Sequence, residues 1–339
     1  MKYRAGVIGC GRIGFEFDKD PKRRYIATHT GAYHRVKDID LVAVCDIDKM
    51  RLHGCVERWN VPSAYSNVKD MLKEQDLDIL SICTQPSTHY PILREAVKYP
   101  LKAVFCEKPI ADNKKNAEKM VKLCRKKKII LQIGHQRRFD PLHISLREFI
   151  KSKKAGNVQQ VNAYYTAGVN NTGSHMFDLL GFFFADAVWI EGFFSKNVSH
   201  KEGDPNVDGL IMFKSGVYAT FQTCDVKDYL IFELNCFLQK GRLVLKDSGF
   251  NVDYYNICES KFYSGYKELY KDRHGFKTKY KRNFMTNAVE HLVRCINNKK
   301  ESTSSGDDGL KALALIEACI VSARNNGKRI YLLDKKEKR

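Results

Sequence analysis

Short apolar runs recur through the first third of the chain, each closed by a glycine, a polar residue or a charge. They are YRAGVIG (3–9), LVAVCD (41–46), DILSICT (78–84), KAVFCEK (102–108) and IILQIGH (129–135). Their near-continuous apolar character fits strands buried on both faces. Helix-like stretches lie between them, among them DKMRLHGCVERW, VKDMLKEQ, THYPILREAVKY and NKKNAEKMVKLCRKK. Short strands alternating with helices predict a doubly wound parallel sheet. Beyond about residue 137 the pattern changes. A helix over 141–151 precedes VQQVNAYYTA (158–167), and a second helix opens at NTGSH (171–175). The runs WIEGFFS, DGLIMF, GVYATFQTC, YLIFELNCFL and RLVLKD then follow one another at hairpin spacing, which predicts a mostly antiparallel sheet. Two helices, near 283–298 and 308–325, end the pattern. The expectation is an α/β domain over 1–136 and an α+β domain with an open, mostly antiparallel sheet over 137–339, with a ligand cleft between them.

A chain of 339 residues with 43% hydrophobic residues suits two domains with real cores. The longest apolar run, LLGFFFADAVWI (179–190), is broken by Gly181 and Asp186 and falls short of the roughly 20 residues of a membrane helix. The N-terminus carries no apolar leader pattern, so a cytoplasmic protein without a membrane partner is expected. Eleven cysteines form no C-x-x-C pair, and Cys45, Cys83 and Cys106 end apolar runs. They read as buried free thiols. No His/Cys/carboxylate group has zinc spacing, and no catalytic metal is expected. The net charge of +19 is carried by scattered stretches: CRKKKII (124–130), KSKK (151–154), KTKYKR (277–282) and DKKEKR (334–339). Neither a continuous basic face nor a nucleic-acid module is evident, so no nucleic-acid partner is expected. A field of that sign steers anionic small molecules.

Gly9, Gly11 and Gly14 form G-x-G-x-x-G directly after the first strand, with Arg12 and Ile13 inside the loop. Such glycines allow a tight turn and close backbone approach to a pyrophosphate, and the helix that follows presents free N–H groups to it. Asp46 ends the second strand, where a carboxylate accepts both ribose hydroxyls of NAD and repels the 2′-phosphate of NADP. NAD is therefore the expected cofactor, with NADP the lesser candidate. Asp46 lies 32 residues after Gly14, against about 20 usually. The surplus, FEFDKDPKRRYIATHT (15–30), reads mostly as a surface insertion before a helix that resumes near Gly31.

Five motifs in order, G-x-G-x-x-G, QPSTHY (85–90), CEKP (106–109), GHQRRFDP (134–141) and GSHMFD (173–178), together with the closing SGDDGLKALALIEACIVSARNNGKRI, resemble the Gfo/Idh/MocA oxidoreductases over almost the whole chain. The resemblance implies a Rossmann domain, a C-terminal domain with an open sheet, and association through that sheet into homodimers or homotetramers. It implies hydride transfer between NAD(P) and a carbon of a sugar, cyclitol or sugar nucleotide. Lys108 matches the lysine that contacts the reacting hydroxyl and the nicotinamide ribose, and His175 matches the acid–base histidine. Thr84, Pro86 and His89 match the stretch along the cofactor, and Glu107, beside the lysine, is expected to position the loop and to lie with Lys108 at the cofactor. Where the family has aspartate four residues before the histidine, this chain has Asn171, and Asp178 is placed to orient the imidazole.

The chemistry suits these residue types. A histidine near neutral pKa takes the hydroxyl proton, and a lysine stabilises developing alkoxide charge. Asn171 is also positioned to cap the helix carrying His175. Of Arg137 and Arg138, one is expected to pair structurally and the other, Arg137, to reach substrate. Tyr164 and Tyr165 alternate across a strand, and Tyr165 is the expected cleft residue. Two other activities fit the same fold: glycoside cleavage with a recycled NAD, and NAD binding by a catalytically silent regulator.

Overall fold

The structure, a computed structural model, describes residues 2–199, 202–273, 275–276 and 283–332. The basic stretches 277–282 and 334–339 lie outside the described residues. Two compact units divide the chain, residues 1–141 with 281–313 and residues 142–280 with 314–339.

In the first unit, β1 (Tyr3–Ile8), α1 (His29–Arg35), β2 (Ile39–Cys45), α2 (Lys49–Trp59), β3 (Ser63–Tyr65), α3 (Val68–Glu74), β4 (Ile79–Ile82), α4 (Pro86–Ala96), β5 (Ala103–Cys106), α5 (Lys114–Lys127) and β6 (Ile130–Ile133) alternate as the apolar runs foretell. The strands form one parallel sheet in the order β3-β2-β1-β4-β5-β6. β4 and β5 are buried at every residue, which is why their sequences read as unbroken apolar runs. Helix starts follow capping chemistry: Thr28, Asp48, Asn67 and Asn113 each accept a backbone N–H of the first turn of their helix. The three-residue β3 was not legible as a run; it lies at the sheet edge and none of its residues is buried.

In the second unit, α6 (Pro141–Ser152, its first residue in the first unit) precedes β7 (Val158–Tyr165), α7 (Gly173–Phe184), β8 (Ala187–Phe194), β9 (Val207–Phe213), β10 (Tyr218–Thr223), β11 (Phe232–Leu238), β12 (Gly241–Lys246), β13 (Asn251–Glu259) and β14 (Lys267–Lys271). Along the chain two helices follow, α8 (Phe284–Asn298), which belongs to the first unit, and α9 (Gly306–Arg324), which belongs to it up to Leu313, and then β15 (Ile330–Tyr331). Among the described residues the sheet runs β14-β13-β12-β11-β7-β10-β9-β8-β15, antiparallel except for the β7–β10 pair. One face carries the core: Phe177 of α7 packs edge-on against Phe221 of β10 at 5.1 Å and against Tyr165 of β7 at 6.4 Å.

The run pattern places a single boundary at 136/137. By contacts the first unit extends to Pro141, and residues 281–313 return to it. The cause is α8, whose stripe of Phe284, Met285, Ala288, Val289 and Leu292 is buried. Its Phe284 ring meets Tyr25 at 5.1 Å, and its Ala288 carbonyl accepts the Gln132 side-chain N–H at 3.0 Å.

All eleven cysteines are free; Cys224 and Cys258 are half-buried and the others buried. Burial pushes the thiols of Cys45, Cys124 and Cys236 up to about 12, so they stay protonated and unreactive at neutral pH. Among the described residues no helix is long and apolar enough to cross a membrane.

Candidate functional site

The strand order of the first sheet reverses between β1 and β4. In such sheets ligands bind outside the carboxyl ends of the strands at that switch point. The loops after β1, β4 and β5 all leave from those ends, and they carry Gly9–Gly14, Thr84–Pro86 and Glu107–Pro109.

The glycine loop needs its glycines. Gly9 has φ +97°, and a Cβ there would lie 2.8 Å from the Cys83 carbonyl carbon. A Cβ on Gly14 would meet the Gly9 carbonyl oxygen at 1.9 Å. Gly11 differs: a Cβ would find only the tip of Arg51 at 3.8 Å, so this side of the loop is open to a ligand. The N–H groups of Gly11, Arg12, Ile13 and Gly14 have no acceptor among the described residues, as an anion-binding loop requires. Arg12 is exposed and its guanidinium lies 4.9 Å from the Phe17 ring; Ile13 is half-buried. Asp46 closes the loop from β2: one carboxylate oxygen accepts the Cys10 N–H at 2.6 Å and the other the Asp48 N–H at 2.8 Å. These residues fit a dinucleotide pyrophosphate, with the Asp46 carboxylate beside the loop at the end of β2.

As the long spacing implies, the helix does not follow the loop directly but resumes near Gly31. Turns and a short 3-10 segment, Glu16–Lys19, come first, and α1 begins only at His29. Yet the His29 and Thr30 N–H groups donate to the carbonyls of Ile13 and Gly14 at 3.1 Å, so the helical ladder resumes as though the intervening residues were looped out. Asp18 ties the neck of this insertion by accepting the Ala27 N–H at 2.7 Å and the Thr28 hydroxyl. The long Gly14–Asp46 spacing is thereby explained. The surface reading of 15–30 holds for Pro21, Lys22 and Arg24, which are exposed, but Phe15 and the stretch from Ala27 to Thr30 are buried.

His29 was hidden inside that segment. It is fully buried; its Nε2 lies 2.9 Å from Glu107 Oε1 and its Nδ1 2.8 Å from the Ser81 hydroxyl, which in turn meets the Tyr33 hydroxyl at 2.6 Å. The second Glu107 oxygen accepts the Lys108 N–H at 3.2 Å. Burial alone would push Glu107 up. The hydrogen bond from His29 and the cationic groups beside it, His29 when protonated and Lys108, outweigh that and hold the carboxyl below its ordinary range. Both oxygens are thus engaged within the first unit, one by His29 and the other by the Lys108 N–H. Gly134, after β6, makes room for it: a Cβ there would lie 2.5–2.8 Å from the carboxylate atoms. Lys108 itself is half-buried and joined to Pro109 by a cis peptide.

Thr84 is half-buried, and its hydroxyl accepts that of Thr88 at 2.7 Å; Pro86 opens α4 at a position where a missing N–H costs nothing. His89 is a correction. It is fully buried, with ring nitrogens 3.0 and 3.2 Å from the Thr84 and Ile110 carbonyls. Burial lowers its pKa, and its place is a tie between two loops inside the unit rather than along a cofactor. Arg138 is the structural arginine, buried with Asp308 at 3.1 Å and the Thr303 carbonyl at 2.9 Å; Arg137 is half-buried.

In the second unit, His175 is half-buried in the first turn of α7, and Asp178 is buried one turn on. Asn171 does not cap that helix. It lies in a π-type turn, Gly168–Thr172, and Thr172 is the residue preceding α7. Asp204 gathers this turn, accepting the N–H groups of Asn170 at 2.8 Å and Asn171 at 3.0 Å, so the backbone is held by a distant carboxylate. The exposed Asn171 thus stands four residues ahead of His175, on the turn that leads into α7. Tyr165 is a second correction: it is fully buried, and its hydroxyl donates to the Val207 carbonyl at 2.8 Å. Strand alternation leaves Tyr164, half-buried, on the opposite face.

Residues 3–135 match the oxidoreductase family with an NAD-binding Rossmann fold, and residues 168–332 match the C-terminal alpha/beta domain of the same family. A D-apiose dehydrogenase of Paraburkholderia graminis is 22% identical over 95% of this chain and 88% of its own length. A myo-inositol 2-dehydrogenase of Thermotoga maritima is 29% identical over 45% of this chain, which spans 42% of that relative's length. The crystal structure of the WlbA dehydrogenase from Bordetella pertussis, in complex with NADH and UDP-GlcNAcA, superposes with a TM-score of 0.80 at 20% identity, covering 98% of this chain and 99% of the other.

Proposed function

The chain belongs to the Gfo/Idh/MocA oxidoreductase family, and from that premise we propose that it transfers hydride between NAD and a carbinol carbon of a sugar, cyclitol or sugar nucleotide. The observation that carries this reading is the glycine cradle at the β1/β4 switch point, with open N–H groups and the Asp46 carboxylate beside it at the end of β2. Bound NAD supplies the hydride acceptor. Lys108, on the loop after β5, stabilises alkoxide character at the reacting oxygen. His175 exchanges the hydroxyl proton, and neutral Asn171 orients polar groups of the substrate with Arg137. The names of the relatives, an apiose dehydrogenase, an inositol dehydrogenase and a structure holding UDP-GlcNAcA, support a polyhydroxylated substrate.

A screen of sugars, cyclitols and sugar nucleotides by NADH absorbance tests the proposal, and NAD binding without turnover of any of them refutes it. On the substrate so found, Lys108→Ala lowers turnover on the order of 100-fold or more with little change in Tm. A folded variant near wild-type rate removes Lys108 from the chemistry. We also propose that two copies associate through the sheet face opposite α7, where Asn162, Tyr164, Glu233, Asn235 and Arg242 are half-exposed. Sedimentation of wild type against a charge-reversed Glu233→Lys variant tests this, and a monomeric wild type overturns it. The reaction has its place in the cytoplasm, where NAD is plentiful.

A further inference from the structure

The chain Tyr33–Ser81–His29–Glu107 has three contacts and is sealed from solvent: Tyr33, His29 and Ser81 are fully buried and Glu107 is 6% exposed. Counting protons decides how it is wired. Tyr33 and Ser81 bring one each, and burial raises the Tyr33 pKa, so that hydroxyl keeps its proton. A neutral imidazole brings one more, which makes three protons for three contacts.

Only one direction uses all three. Tyr33 donates to Ser81 Oγ, Ser81 donates to His29 Nδ1, and His29 Nε2–H donates to Glu107 Oε1. Reversing the chain leaves the Tyr33 hydroxyl with no acceptor and points an imidazole lone pair at a carboxylate. Protonating both nitrogens brings a fourth proton and strands a hydroxyl in the core. With Oε1 so engaged, Oε2 is left to accept the Lys108 N–H.

We propose that His29, as the neutral Nε2–H tautomer, is a positioning residue for Lys108: it pins Glu107, which pins the backbone of the lysine. This rests on the reading of Lys108 as catalytic. Two features elsewhere in the sequence serve the arrangement. The insertion after Gly14 closes on itself so that His29 enters α1 in helical register with the glycine loop. Gly134 leaves the volume that the carboxylate fills.

Two measurements on the full chain, neither needing a substrate, test it. Nitrogen-15 NMR of labelled histidine at about pH 8 is expected to show His29 as the Nε2–H tautomer. The Nδ1–H tautomer or a doubly protonated ring at that pH overturns the wiring. Amide exchange at Lys108 is expected to quicken about 10-fold or more in His29→Leu, because a buried hydrogen-bond partner of its acceptor is lost. It stays within about 3-fold of wild type in His29→Gln, whose amide still donates to Glu107.

Unchanged exchange in a folded His29→Leu overturns the proposal, and so does equal acceleration in both variants. Should His29→Leu not fold, Glu107→Gln gives the same readout. Its amide, accepting from His29, turns NH2 toward the Lys108 N–H, so exchange quickens; unchanged exchange there overturns the proposal as well. Turnover separates the two readings. An inactive Lys108→Ala with unaltered exchange in His29→Leu refutes positioning alone, and an active Lys108→Ala with altered exchange refutes the catalytic reading alone.

Discussion

Replacing Gly134 with alanine adds one methyl group to the first unit, and the structure says what it meets. Its Cβ would lie 2.5 Å from Glu107 Oε1, 2.7 Å from Cδ and 2.8 Å from Oε2. A carboxylate is the far end of a flexible side chain and ordinarily yields at small cost. Here it is buried and held at 2.9 Å by His29 and at 3.2 Å by the Lys108 N–H, so yielding breaks one or both bonds in the core. Overpacking costs of about 1–3 kcal/mol are typical of such sites. At about 2–4 °C per kcal/mol for a domain of this size, Tm falls by roughly 2–12 °C. The assay is chemical denaturation of Gly134→Ala in two backgrounds, wild type and Glu107→Ala. Without the carboxylate the methyl group has room, and its cost is expected to drop to within about 0.5 kcal/mol of zero. Equal cost in both backgrounds refutes the packing argument, as does a Gly134→Ala that is neutral in wild type.

The remaining expectations concern single groups. Asp46→Ala removes the acceptor of the Cys10 N–H, so calorimetry is expected to show NAD binding about 10-fold weaker or more and the NAD-over-NADP preference narrowed; two unchanged affinities contradict it. His175→Ala is expected to lose most turnover and the acid limb of the pH–rate profile on the substrate found by the screen, and a retained acid limb would leave the histidine a structural role. Because Glu107 is held below the ordinary carboxyl value of 4.5, its contribution to stability is full above that value and is lost as pH falls through the lowered one. Denaturation midpoints from about pH 7 down to about pH 3 are expected to fall less steeply in Glu107→Gln than in wild type, and parallel curves would contradict the assignment.

What the residues alone determined is what depends on near neighbours in the chain. Five apolar runs marked five strands of the first sheet, because a strand buried on both faces must be apolar throughout. The glycine loop was legible because Gly9 and Gly14 answer to backbone contacts that no side chain tolerates. Lys108 and His175 were singled out only through motifs in order, since a lysine before proline or a histidine in a first helical turn has no distinctive physics by itself. β13 and β14 escaped notice because their residues are nearly all half-buried or exposed, so apolar alternation is absent.

Tertiary structure decided matters of distance along the chain. His29 reaches Glu107 across 78 residues, and Asp204 holds the turn before His175 from 33 residues away. Neither leaves a periodic trace, because a buried polar group is satisfied by whichever partner the fold delivers. Tyr165 and Tyr164 have the same side chain on adjacent positions; only the packing of α7 on one sheet face made the first a core residue and left the second half-exposed. Likewise α8 reads as an amphipathic helix wherever it goes. Its return to the first unit follows from the surface of α1 and β6 that its apolar stripe covers, a complementarity that exists only once both partners are folded.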